Sequence, residues 1–176
     1  MKRRLSHAET SEARLVFQGG LIYDKVGVFE GARWPNAIAK IGAAINREPA
    51  TGNNAVTLGN QTFFPIQLHT SEEDLSLGRL GDMGWLIHEL THVWQFQHEG
   101  PSYLARALAV QIRLGPAAYE YGGETGLVEA HGSGRRWAEF NPEQQGDIVR
   151  DLYVAIKAGG DTSAWAPFLT DLRSPP

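Results

Sequence analysis

The sequence contains no cysteine. That excludes disulfides, thiolate metal sites and cysteine nucleophiles together, so any bound metal must be held by histidine and carboxylate. Long apolar runs are missing too: none approaches the roughly 20 residues that cross a bilayer, and no membrane span is expected. There is no basic excess, since the formal net charge is -4 and the pI is near 5.8. This argues against a nucleic-acid partner, because phosphate-binding surfaces carry surplus Lys and Arg. The start, Met1 to Arg4, is basic, but Ser6, His7, Glu9, Thr10, Ser11 and Glu12 follow in place of an apolar stretch. A Sec-type signal peptide is therefore not expected, and a cytoplasmic origin is. Methionine is confined to Met1 and Met83.

What is present fits one domain over residues 1–176: 42% apolar and 20% charged residues suffice for a single core. Residues 1–14 and 173–176 are polar and expected to be flexible. Residues 15–29 read as strand and turn, and residues 35–45 as a helix with Pro35 at its first position. Residues 48–54 are turn-rich. Two β-rich runs flank Gly59-Asn60 within residues 55–68, a hairpin signal. Residues 71–80 form an acidic loop or short helix. Residues 81–98 carry the strongest helical pattern, with Asp82 as the expected cap. A second helix follows Ser102, over residues 103–114. The five glycines of residues 117–139 suggest loop. Asn141-Pro142 opens a helix to about residue 158, and a short helix closes the chain near residues 163–172. The layout is α+β: helix-rich, with a small sheet or hairpin beside the strongest helix.

That helix carries His88-Glu89-Leu90-Thr91-His92. Positions i and i+4 share a face about 6 Å apart, so His88 and His92 can converge on one zinc at about 2.0–2.1 Å. Glu89 is displaced around the helix, where it reaches a zinc-bound water as general base. Zinc would bring the pKa of that water toward about 7. HExxH also arises by chance, but here it lies on an amphipathic helix and holds two of the six histidines.

A catalytic zinc needs a third protein ligand and an open position. His98 completes a superficial HExxHxxGxxH pattern, yet Gln95 stands where that pattern needs glycine. In a continuing helix His98 lies about 240° around and about 9 Å along from His92, pointing away. Glu143 is the stronger candidate. It shares a helix face with Asp147, so Glu143 can bind zinc while Asp147 accepts a hydrogen bond from a ligand imidazole. His131, Tyr119 and Tyr121, between the two helices, are candidates for steadying an oxyanion, with Tyr121 and His131 taken as catalytic. Trp85, Trp94 and Phe96 read as core. The 55–64 hairpin is either an edge strand for an extended peptide or plain structure.

HELTH followed by a helix carrying ExxxD resembles the gluzincins, the thermolysin-like and related membrane-protease families. The resemblance implies a zincin fold, with His88, His92 and Glu143 as zinc ligands, Glu89 as base and Asp147 supporting a ligand histidine. Glu143-Gln-Gln-Gly-Asp147 is similar to a gluzincin signature, with Gly146 where alanine is usual. The interval from His92 to Glu143 is much longer than in thermolysin, so the intervening structure does not carry over. HELTHVWQ with the upstream AVTLGNQTFFP resembles small bacterial metallopeptidase domains, some accompanying contractile injection and type VI secretion components, including Vgr-related proteins. This covers residues 50–155. It implies a zinc metallopeptidase acting on a peptide or protein. Its rivals are an injected toxin with the same chemistry, exported by a non-Sec contractile system and paired with an immunity protein, and a zinc-stabilised adaptor of the secretion apparatus that cleaves nothing.

Overall fold

The computed structural model describes residues 2–32, 34, 54–103 and 115–176. The expected helix at 35–45, most of the loop at 48–54 and most of the helix at 103–114 lie outside the described residues.

The chain opens with β1 (Lys2–Arg3) and α1 (His7–Phe17). Helix thus extends through residues 15–17, where strand and turn were expected. The physical reason is a capping box: Ser6 accepts from the Glu9 amide while the Glu9 carboxylate accepts from the Ser6 amide. Ala13, Val16 and Phe17 then bury one face of α1. A short 3₁₀ turn (Tyr23–Lys25) leads to β2 (Gly27–Phe29), and the hairpin follows as β3 (Val56–Leu58) and β4 (Gln61–Phe63) around Gly59-Asn60. The strand order is β1-β2-β4-β3, with β2 and β4 parallel and the other pairs antiparallel.

Next come α2 (Glu72–Ser76) and the long α3 (Gly81–Glu99). Asp82 is not the cap of α3: the helix follows Leu80 with no side-chain cap, and the Asp82 carboxylate accepts from the His69 amide at 2.7 Å. After a 3₁₀ turn (Gly115–Tyr119) the glycine-rich stretch forms α4 (Gly123–Gly132), where loop was expected. Its glycine serves close approach instead of freedom: a Cβ on Gly126 would lie 2.2 Å from the Tyr121 carbonyl oxygen. A further 3₁₀ turn (Trp137–Glu139) precedes α5 (Pro142–Ala158), capped by Asn141 with Pro at its start as the sequence indicates. A 3₁₀ segment (Ser163–Phe168) and α6 (Leu169–Arg173) close the chain. Near residue 174, Arg173 donates to the Val16 carbonyl and His98 bonds the Ser174 carbonyl.

Helix α3 is the centre of the fold. It lies along α5 and meets β3 and β4 on another flank. Leu86, Leu90 and Val93 from α3 join Ile148, Val149 and Leu152 from α5, Phe17 from α1, and Trp137, Phe140 and Phe168 in one core. Each such side chain contributes about 1.5–3 kcal/mol by leaving water. Burial of residues 86–95 on several sides fixes the direction of the side chains that they carry.

Candidate metal centre

His88, Glu89 and His92 lie on the buried middle of α3, and Glu143 and Asp147 on the first turns of α5. All five are only 5–8% exposed. Polar groups buried to this degree must be paired. The Nε2 atoms of His88 and His92 stand 3.4 and 3.5 Å from Glu143 Oε2. The three ligand atoms lie within 4.8 Å of one another, the one such group of His and carboxylates among the described residues.

The approach of the helices depends on Gly146. A Cβ there would stand 2.6–2.8 Å from the His88 ring, so only glycine lets α5 come this close.

Each imidazole is oriented from behind. His88 Nδ1 bonds Asp147 Oδ1 at 2.9 Å, and Arg150 Nη1 holds the same oxygen at 2.6 Å. His92 Nδ1 bonds Gln95 Oε1 at 2.8 Å. With Nδ1 engaged, both Nε2 atoms turn toward Glu143. A tetrahedral site with bonds of about 2.0–2.1 Å separates its donors by about 3.4 Å. The observed spacing of His88 and His92 Nε2 from Glu143 fits such an ion, and two neutral imidazoles with one carboxylate suit zinc.

Electrostatics point the same way. Burial works against a charged His88, but the bonds to Asp147 and Glu143 outweigh it and raise its pKa to about 10. His92 also moves up, against burial, through the Glu143 charge. Burial would raise the Glu143 pKa, yet the two imidazoles hold it well below the usual carboxylate range. The cluster favours positive charge at its centre, supplied by a proton or by a metal ion.

Glu89 is held by β3: Thr57 Oγ1 donates to Glu89 Oε2 at 2.7 Å, and the Tyr103 hydroxyl donates to the Thr57 carbonyl at 3.2 Å. Tyr119 ends the 3₁₀ turn with its ring 6.1 Å from the His88 ring and a hydrogen bond to Glu143. Burial, with the Glu143 and Glu89 charges, keeps its phenol protonated far above the ordinary range. Asn141 Nδ2 and Gln144 Nε2 hold the carbonyls of Ala118 and Glu120, fastening this turn to α5.

Two expected catalytic residues are elsewhere. Tyr121 donates to Asp151 at 2.6 Å, and His131 is exposed on α4, edge-on to Phe168 at 6.4 Å. Tyr119, two residues earlier than Tyr121, stands beside His88, and Tyr103 stacks near His92 with ring centroids 6.5 Å apart. His98 points away as expected: it stacks on Trp94 and bonds the Trp94 and Ser174 carbonyls. Gln95 carries a legible signal, three residues beyond His92 on the same helix, whereas Thr57 carries none.

The chain matches no protein-family model. It is 39% identical over 176 residues to the type VI secretion system spike protein VgrG2b of Pseudomonas aeruginosa. That match takes in 99% of this chain and 15% of the spike protein's length. Among solved structures, the effector domain of Pseudomonas aeruginosa VgrG2b superposes with a TM-score of 0.57 at 29% identity, over 93% of this chain and 80% of that one. Sequence and fold thus lead to the same protein, and the chain is homologous to the VgrG2b effector domain.

Proposed function

We infer that the chain is a secretion-delivered effector whose chemistry is zinc-dependent hydrolysis, with a peptide or protein as substrate. One observation carries the reading: two imidazole Nε2 atoms and Glu143 Oε2 converge beside a second carboxylate, Glu89, that the ligand set does not use. Homology to an effector domain supports the delivery, and the presence of a second buried carboxylate supports hydrolysis over a purely structural metal.

Zinc held by His88, His92 and Glu143 would act as a Lewis acid on a carbonyl and make water acidic enough to attack near neutral pH. The chain's own residues do the rest. Glu89, steadied by Thr57, takes the proton from the attacking water and returns it to the leaving amine. Tyr119, kept protonated, donates to the oxygen that gains charge. Asp147 and Gln95 keep the two imidazoles facing inward. β3, one of the two outer strands of the described sheet, offers an edge to an extended backbone beside Glu89.

The test joins metal analysis to toxicity. Purified protein is expected to hold about one zinc per chain, and directed expression in a bacterial target compartment is expected to be toxic. Glu89→Gln should keep the zinc while turnover falls by about 10²–10⁴-fold and toxicity disappears. Protein that takes up no stoichiometric metal ends the hydrolytic reading. Zinc retained with wild type and Glu89→Gln equally active removes Glu89 from its role, and zinc retained with both inert hands the chain to the adaptor reading.

A further inference from the structure

The two ligand histidines are held by different means. Behind His88 stands a charged pair, Asp147 and Arg150. Behind His92 stands a neutral chain of amides: Gln95 Oε1 faces His92 Nδ1 at 2.8 Å, Gln95 Nε2 donates to Gln145 Oε1 at 2.8 Å and to the Pro142 carbonyl at 3.0 Å, and Gln145 Nε2 donates to the Trp137 carbonyl at 3.0 Å. Gln95 is fully buried and Gln145 is 1% exposed.

The direction of this chain is not arbitrary. A backbone carbonyl only accepts hydrogen bonds. The Trp137 carbonyl therefore requires the nitrogen of the Gln145 amide, which turns Gln145 Oε1 toward Gln95. The Pro142 carbonyl independently requires the nitrogen of the Gln95 amide, which turns Gln95 Oε1 toward His92. That oxygen can only accept, so His92 Nδ1 must carry the proton. A flipped amide anywhere would set two acceptors face to face in the core, at about 1–3 kcal/mol each.

The geometry points to Gln95 and Gln145 as a polarised tautomer lock: two backbone carbonyls, read through two buried amides, hold the His92 proton on Nδ1 and leave Nε2 as the metal-binding atom. Gln95 is a positioning residue in this scheme, and Gln145 positions Gln95. The inference rests on the metal reading of the site.

The test reads the metal and the ring instead of activity. In zinc-loaded wild type, ¹⁵N NMR of the histidine rings should show His92 protonated at Nδ1, with that proton slow to exchange. Gln95→Met removes the acceptor, and zinc loss to a chelator should accelerate about 10- to 100-fold. Gln95→Glu keeps an acceptor oxygen for His92 while losing the bonds to Pro142 and Gln145, so it should weaken the fold yet hold zinc nearly as long as wild type. Equal acceleration in both variants would mark Gln95 as merely structural and overturn the lock, as would an unchanged rate in Gln95→Met. Should Gln95→Met fail to fold, the wild-type spectrum still decides: zinc present with the His92 proton on Nε2 overturns the lock alone. Wild type without zinc overturns the metal reading and the lock together.

Discussion

Two buried clusters of charge among the described residues are built differently. Near the N-terminus, Arg3 joins both oxygens of Glu9 at 2.7 and 2.8 Å and one oxygen of Glu30 at 2.8 Å. Thr70, the Ser6 amide and the Leu68 amide supply further donors to these carboxylates. The cluster brings its own cation. Burial works against the Arg3 charge, but the bonds to Glu30 and Glu9 outweigh it and raise its pKa. The same contacts lower that of Glu30 against burial. In the α3–α5 cluster, His88, His92 and Glu143 turn acceptor atoms toward one point, and no Lys or Arg bonds Glu143 among the described residues. The first cluster is a closed ion pair that staples β1 and α1 to the sheet. The second offers Glu143 no such partner among the described residues and favours positive charge at its centre, from a proton or from a metal ion. Buried charge alone does not mark a functional site; the presence or lack of an internal counter-charge separates the two.

The sharpest way to break the contrast is to remove the internal cation. Arg3→Met should destabilise the protein by about 3–5 kcal/mol, because two buried carboxylates lose their partner. Zinc content of the folded fraction should stay unchanged, and denaturant melts with metal analysis check both. Removing the external cation comes next. Chelation should lower stability by about 4 kcal/mol relative to protein in zinc at 1,000 times Kd. It should also expose a pH dependence. The His88 pKa is raised from 6.5 to about 10 in metal-free protein. Its stabilising contribution is full below 6.5 and is lost as pH rises through about 10. Melts of metal-free protein should therefore fall over that interval, while the zinc-loaded protein, whose cation replaces the proton, should not follow.

Gly146→Ala pushes a methyl group against the His88 ring and should cost about 1–3 kcal/mol with weakened zinc retention. An unchanged zinc off-rate would show that the helices can part without harm. The smallest expected effect is Thr57→Val: zinc and fold stay, and kcat falls about tenfold, the worth of one hydrogen bond to a carboxylate. Steady-state kinetics on any cleaved peptide check it.

Much of this contrast was legible in the chain. The i, i+4 spacing of His88 and His92, and of Glu143 and Asp147, placed each pair on one helix face, and the Asn141-Pro142 start located α5. The hairpin at Gly59-Asn60 followed from its turn residues. The capping box at Ser6 and Glu9 was also legible, yet the polar composition around it obscured α1. Helix α4 was hidden because glycine reads as a helix breaker, whereas Gly126 is there to let the helix touch the Tyr121 backbone. Thr57 acts through a tertiary contact, and a threonine in a strand carries no local mark of the carboxylate that the fold brings to it. Gln95 meets His92 from three residues along the same helix, a spacing that the sequence does display. The choice between Tyr119 and Tyr121 rested on which way a turn faces, and residue spacing does not encode that.

Asn141 has two jobs at once: its Oδ1 closes the first turn of α5, while its Nδ2 grips the Ala118 carbonyl next to Tyr119. One amide thus anchors both the helix that presents Glu143 and the turn that presents the phenol. Carboxylate and phenol travel as a single rigid piece, so a displacement that spoils one spoils the other, and the cluster is assembled or dismantled whole.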